Sequence, residues 1–275
     1  MSITSPGAWA TLQRGVVRVS GSGAQAYLQS QLSQDLTSLA DEAACWALLL
    51  SPEGRLGFLV RAVKVRDTDW LVLGPRGADD AIKARLKRFA IRVDATFELE
   101  TWWHLVVGPN TQEVAGSFAI PSALESYGCS EWLTAEEVSL GGDREDYERA
   151  MQQHLALPSI DDSDVRESMV PAELGPSVMA QAVSFTKGCY PGQELVARID
   201  ARSALPPNPV VGIEASLALN DGEEILVGSD VVGSVLGTLV SNGEGSWRGL
   251  GVVKRSAVAE RLAYRAGTLQ TLPLV

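Results

Sequence analysis

Lys187-Gly188-Cys189-Tyr190-Pro191-Gly192-Gln193-Glu194 packs a cation, a thiol, a turn and a carboxylate into eight residues. Gly188, Pro191 and Gly192 set the backbone path around Cys189, and Pro191-Gly192 suits a tight turn in which glycine takes a positive φ at little cost. Lys187 stands two positions before Cys189 and is the candidate cation that favours thiolate over thiol; a helix starting near Gln193 adds its positive end. Glu194 and Arg198 follow at i, i+4, the spacing of an ion pair on one helix face. Cys189 and Lys187 are the candidate catalytic residues of the chain, and Gly188, Tyr190, Gly192, Gln193, Glu194 and Arg198 the loop that carries them. Taken singly, Cys189 reads as a small core residue and Lys187 as a solvated loop lysine whose truncation costs little stability. Their occurrence together is what points to chemistry.

Around this segment the composition narrows the possibilities. The chain has 275 residues and 45% apolar content, enough for a large core and two or three modules. Twenty-three Lys and Arg stand against thirty-four Asp and Glu, and the net charge of −11 argues against tight, direct binding to nucleic-acid backbones. No apolar run reaches bilayer length and no basic, then apolar, start is present, so no membrane association and a cytoplasmic location are expected. Cys45, Cys129 and Cys189 are far apart and odd in number, and His104 and His154 are the only histidines. Neither a disulfide framework nor a dedicated metal site is expected.

Hydrophobic periodicity organises the rest. Residues 15–20 read as a strand and Ala24, Tyr27, Leu28, Leu32 and Leu36 as one helix face. Trp46–Leu50 and Leu56–Val65 form a hairpin across Ser51-Pro-Glu-Gly54, followed by a strand at Trp70–Leu73 and a helix marked by Ile82, Leu86 and Phe89, with Lys83, Arg85, Lys87 and Arg88 on its solvated face. Ile91, Val93, Ala95 and Phe97 alternate as in a strand, Trp103–Val107 is another, and the pattern weakens between Pro109 and Leu140. A helix beginning after Asp143 places Tyr147, Ala150, Met151 and Leu155 on one face and ends at Pro158. Beyond Pro206-Pro-Asn-Pro209, short strands punctuated by Gly, Asn and Asp suggest a small antiparallel barrel. Gly21-Ser-Gly23-Ala-Gln-Ala26 matches a dinucleotide fingerprint formally, but no alternating strand and helix follow, so it is read as a tight strand-to-helix turn. Alternation puts Trp103 and His104 on opposite faces of their strand, where core packing is the simpler account.

Lys-Gly-Cys-Tyr-x-Gly-Gln-Glu, followed by Arg198 and Arg202, resembles the signature of the YgfZ-type folate-binding proteins, relatives of the glycine-cleavage T-protein. Leu157-Pro-Ser-Ile-Asp161, Val170-Pro-Ala-Glu-Leu174 and the segment Val19–Leu36 match the same family. The resemblance implies an α+β, three-module T-protein-like fold with a folate-sized central cleft and a C-terminal antiparallel β-barrel. It implies a folate-binding module at 1–45 plus 140–200, an inserted α+β module at 46–139 and the barrel at 201–275. It further implies tetrahydrofolate or a derivative as ligand, with Glu173 and Arg202 contacting it or fixing the cleft, and iron–sulfur client or assembly proteins as partners. Two departures bear on mechanism. The hairpin carboxylate of the T-proteins is replaced by Phe58-Leu59, and apolar side chains can neither move a proton nor stabilise an iminium. The Glu-Ala-Gly of relatives reads His154-Leu155-Ala156. The implied function is a tetrahydrofolate-binding accessory factor in iron–sulfur cluster assembly or repair, with no classical turnover. A folate-dependent one-carbon transferase or demethylase and a folate-independent thiol redox scaffold are the alternatives.

Overall fold

Strand β1 (Ala8–Ser20) has two apolar faces, with Val17 and Val19 on one side and Leu12 and Val16 on the other, and so it belongs in the interior of a sheet. The computed structural model describes residues 8–108, 115–125, 128–138, 147, 150–151, 167–200, 206–258, 263–264 and 267–272. In it β1 lies between β4 and β5 of a seven-stranded antiparallel sheet ordered β2-β3-β4-β1-β5-β7-β6. The strands are β2 (Ala44–Leu50), β3 (Leu56–Arg66), β4 (Asp69–Leu73), β5 (Thr96–Val107), β6 (Ser117–Ile120) and β7 (Ser130–Thr134). The expected modules 1–45 plus 140–200 and 46–139 thus both contribute strands to one sheet.

Helices α1 (Ala24–Gln31) and α2 (Asp79–Arg88) cover one face, where Val17, Val19, Leu49, Phe58, Val60, Trp70 and Val72 pack against Leu28, Ile82 and Leu86. Asp79 and Asp80 at the start of α2 and Arg85, Lys87 and Arg88 at its end complement the helix dipole. The hairpin across Ser51–Gly54 is present, with Gly54 at φ 83°. Three expectations change. α1 stops at Gln31, and Leu32 and Leu36 enter the same core from the extended segment that follows. Residues 90–95 form turns before β5, and Ile91 projects into solvent, because the alternation there reflects the turn's exposed side chains and not a sheet face. The weak pattern after Pro109 contains the short strands β6 and β7, too brief to show a period. Of the helix expected after Asp143, Tyr147, Ala150 and Met151 are helical, the last two buried with Leu124 and Cys129; the rest lies outside the described residues.

The opposite face of β2 and β3 meets the second half of the chain. A 3₁₀ turn (Pro171–Leu174), α3 (Pro176–Ala182), the segment 183–192 and α4 (Gln193–Asp200) share a core with Leu48, Leu50, Leu56 and the barrel residues Val210, Leu236 and Leu250. The barrel is closed and antiparallel, ordered β10-β11-β8-β13-β12-β9. Its strands are β8 (Val210–Ala215), β9 (Glu224–Val227), β10 (Asp230–Ser241), β11 (Trp247–Val253), β12 (Ala263–Tyr264) and β13 (Gly267–Leu272). Closure removes the exposed edges that six short strands would otherwise present.

Candidate functional site

The segment Lys187–Glu194 is positioned by backbone contact on both sides. Gly54 of the hairpin and Gly192 of the loop approach so closely that a Cβ on Gly192 would lie 2.7 Å from Gly54 Cα, and one on Gly54 would lie 2.6 Å from Leu195 Cβ. Gly192 has φ 84°, as Pro191-Gly192 requires of a turn glycine. On the other side Ser33, fully buried, holds three elements. Its hydroxyl donates to Ala182 O at 2.6 Å and accepts from Leu48 N at 2.7 Å, and its carbonyl accepts from Ser184 N at 3.0 Å.

Lys187 is buried, contrary to the solvated-lysine reading. Its ammonium donates to the carbonyls of Gln29, Leu32 and Gln34 at 2.5, 2.6 and 3.0 Å, around the C-terminal end of α1, where the helix dipole is negative. It also lies 5.3 Å from the centre of the Tyr190 ring. Burial pulls its pKa down to about 8, against the opposing influence of Asp35 and Cys45. The charge that was read as tuning Cys189 is therefore engaged with three carbonyls, and its thiol neighbour in the electrostatics is Cys45, itself pushed up to about 12 by burial. Cys189 is exposed, Cys45 partly buried and Cys129 buried. Gly188, beside Cys189, has open space around it.

Tyr190 is buried in the core between sheet and loop, and burial raises its hydroxyl pKa. Gln193 opens α4, and Glu194 falls in its first turn and Arg198 in its last, complementing the dipole. Both charged side chains are exposed, and among the described residues no ion pair joins them. Glu173 is buried. One of its oxygens accepts from Val170 N and the other from Asn208 N, both at 2.9 Å, so it ties the 3₁₀ turn to the approach of the barrel. Burial raises its pKa. Arg202 and His154-Leu155-Ala156 lie outside the described residues. Phe58 and Leu59 point to opposite faces of β3: Phe58 enters the core under α1 and α2, whereas Leu59 packs toward the core containing Tyr190.

A second polar cluster, legible only in part from sequence, lies on the face of the sheet away from α1 and α2. Arg61 donates to Glu131 Oε2 at 2.6 Å and to Pro121 O at 2.8 Å, and its guanidinium stacks 4.2 Å from the Trp46 ring centre. His104 Nε2 is 2.6 Å from the same Glu131 oxygen, while Ser122 Oγ and Ala123 N donate to the other at 3.0 Å. Arg14 NH1 lies 3.4 Å from His104 Nδ1. Burial holds His104 below its ordinary value, hence neutral; with Nε2 donating to Glu131, Nδ1 is left to accept from Arg14. Burial alone would raise Glu131, but Arg61 and His104 outweigh it and keep the carboxylate ionised. The available signal was Arg61, a cation within the apolar strand β3, whereas Glu131 lies in a strand too short to carry a period.

Among the described residues no group of three or more His, Cys, Asp and Glu is arranged to hold a metal ion, and no helix is long and apolar enough to cross a membrane. No protein-family model matches the chain. An uncharacterized protein of Haemophilus influenzae is 30% identical over 194 residues, covering 70% of this chain and 68% of that one. The "tRNA-modifying protein YgfZ" of Edwardsiella ictaluri is 28% identical over 218 residues, covering 68% of this chain and 65% of its own length. Glycine cleavage system aminomethyltransferase T from Bartonella henselae superposes with a TM-score of 0.75 at 13% identity, covering 97% of this chain and 87% of that one. At that identity the match establishes the T-protein-like fold alone.

Proposed function

Because the chain belongs to the YgfZ-type branch of the glycine-cleavage T-protein superfamily, we propose that it is a tetrahydrofolate-binding accessory factor that supports iron–sulfur cluster assembly or repair and carries out no aminomethyl transfer. The observation that carries this reading is the apolar face that β3 turns toward the motif loop. Residues 56–60 contain no carboxylate, and Leu59 stands toward Tyr190 with Trp46 and Met179 beside it, all three of Leu59, Trp46 and Met179 half-buried. Such a surface can pack against the face of a flat pterin ring, whose polar edge would be met by hydrogen-bonding groups elsewhere in the cleft. It cannot supply the proton transfer and counter-charge that iminium formation on a folate amine requires. Bound folate would contribute a one-carbon carrier, and this chain's residues would hold it.

In this reading Cys189 is the exposed group that meets a client, and Tyr190 and Lys187 set the loop that displays it. Glu173 acts on the cleft through the backbone it ties, since both its oxygens are engaged. Arg202 is retained as a proposed ligand contact. The name of the Edwardsiella relative, a tRNA-modifying protein, supports a client whose product is a modified tRNA; that this client is a cytoplasmic iron–sulfur enzyme is proposed on the motif resemblance. Calorimetry with tetrahydrofolate and its 5-formyl and methylene derivatives is the test, with saturable binding of at least one form expected. Absence of binding to all of them would refute the folate reading and leave the thiol scaffold, which the exposure of Cys189 favours. Folate-dependent aminomethyl transfer at about 1 s⁻¹ or faster would reinstate a transferase.

A further inference from the structure

The end of α2 and the turn after it carry a dense run of cations in an otherwise acidic chain. Residues 83–93 contain five cations and no carboxylate, in a protein of net charge −11. Lys87, Arg88 and Arg92 are exposed, and among the described residues none of them enters an ion pair. In their midst stand Phe89, 42% exposed, and Ile91, 79% exposed, the most exposed large apolar side chain among the described residues. The Phe89 ring is flanked by the Arg85 and Arg88 guanidiniums, 4.7 and 5.5 Å from its centre.

The turn is braced in this shape. Gly23 N donates to Asp94 O at 2.9 Å and Ser22 Oγ to Asp94 Oδ2 at 2.5 Å. A Cβ on Gly21 would lie 2.3 Å from Asp94 O, so the glycines that resemble a nucleotide fingerprint serve to let this turn come close. Arg92 adopts φ 62°, a conformation unfavourable to its side chain and retained here. Ile91 is thus displayed on a fixed turn, at no ordering cost to a partner.

We propose that this patch docks an acidic protein segment with apolar residues on one face. An apolar centre with an arginine-rich surround is the anatomy of a protein interface, and these exposed cations, in no ion pair among the described residues, complement a carboxylate-bearing partner. A polyanion recognised by charge alone gives Ile91 nothing to bury against, and RNA, whose bases can stack on Phe89, is separated from a protein segment by the binding of a single-stranded probe. The inference is independent of folate binding.

The test uses the full chain and fluorescence anisotropy with three labelled probes of equal charge: a helical peptide carrying glutamate on one face and leucine on the other, oligoglutamate, and single-stranded RNA. The amphipathic peptide should bind about tenfold more tightly than either other probe. Ile91→Ser should weaken it about tenfold, and Arg88→Glu with Arg92→Glu should abolish binding, with unchanged thermal melts since all three side chains are exposed. No binding of the peptide, equal or tighter binding of RNA or oligoglutamate, or indifference to Ile91→Ser would overturn the proposal. So would sedimentation showing a dimer that Ile91→Ser dissociates, because the patch would then be filled by a second copy.

Discussion

Arg61 and Lys187 are both nearly buried cations, yet Arg61 meets the Glu131 carboxylate at 2.6 Å while Lys187 meets main-chain carbonyls alone. The first cluster satisfies its carboxylate fully within the core, with both Glu131 oxygens matched by donors and the Arg61 guanidinium paired to it. The second holds its positive charge by carbonyl dipoles, with Asp35 acting on it through space and no carboxylate in contact among the described residues, beneath a loop with an exposed thiol. A buried network whose carboxylate is fully hydrogen-bonded holds a fold in register and has little left to offer a ligand. An ammonium held by carbonyls keeps its field, which reaches the Tyr190 ring and the loop around it.

Breaking the first cluster should have the largest effect. Glu131→Ala strands Arg61 in the core, and we expect a loss of roughly 3–5 kcal/mol in urea unfolding. Replacing both partners, Arg61→Met with Glu131→Leu, should recover most of it. Near-equal loss in the single and double variants would show that the pair is not the unit described. Lys187→Ala comes next, at about 3 kcal/mol, because it deprives buried carbonyls of their donor. This revises the sequence-based expectation of a nearly neutral change. A shift within about 0.5 kcal/mol, typical of exposed sites, would place the lysine in solvent.

The same contrast has a pH signature. His104 is held neutral, below its ordinary 6.5, and Glu131 ionised, below its ordinary 4.5. As pH falls through 6.5 the unfolded chain takes up the histidine proton and the folded protein does not, so stability declines; it declines again below 4.5 as the unfolded carboxylate protonates. Urea midpoints across pH 7 to 4 should follow this course, and His104→Gln should flatten its upper part. An unchanged profile in that variant counts against a buried neutral histidine.

The smallest effect belongs to the exposed thiol. Cys189→Ala should alter stability by no more than about 0.5 kcal/mol while impairing iron–sulfur enzyme activity in complemented cells. Alkylation resolved by mass should label Cys189 ahead of Cys45 and Cys129, whose pKa values burial raises. Preferential labelling of Cys45 or Cys129 at neutral pH would reverse the assignment.

The legible parts of the sequence were those written in local spacing. The hairpin across Ser51–Gly54, α2 and the barrel strands carry period and turn residues within a few positions of one another. β6 and β7, of four and five residues, are too short to carry a period. Cys189 stands out in the sequence by its motif, and the structure leaves it exposed. The environment of Lys187 was not legible, because its acceptors are carbonyls at positions 29, 32 and 34, where side-chain identity carries no sign of them. Nor was the Arg61–Glu131–His104 cluster readable as one site, because β3 and β7 are far apart in strand order and meet only where the sheet curls to bring β2 and β3 against β6.

The lysine's three bonds span 158, 155 and 153 residues of chain. During synthesis the α1 end is complete long before Lys187 is made, so its carbonyls must remain hydrated through most of the protein's assembly. Contacts of such separation form after local ones, which makes docking of the cysteine loop a late step. Until then the apolar surface on the far side of β2 and β3 lacks its cover, and that interval is when a nascent chain has most need of a chaperone.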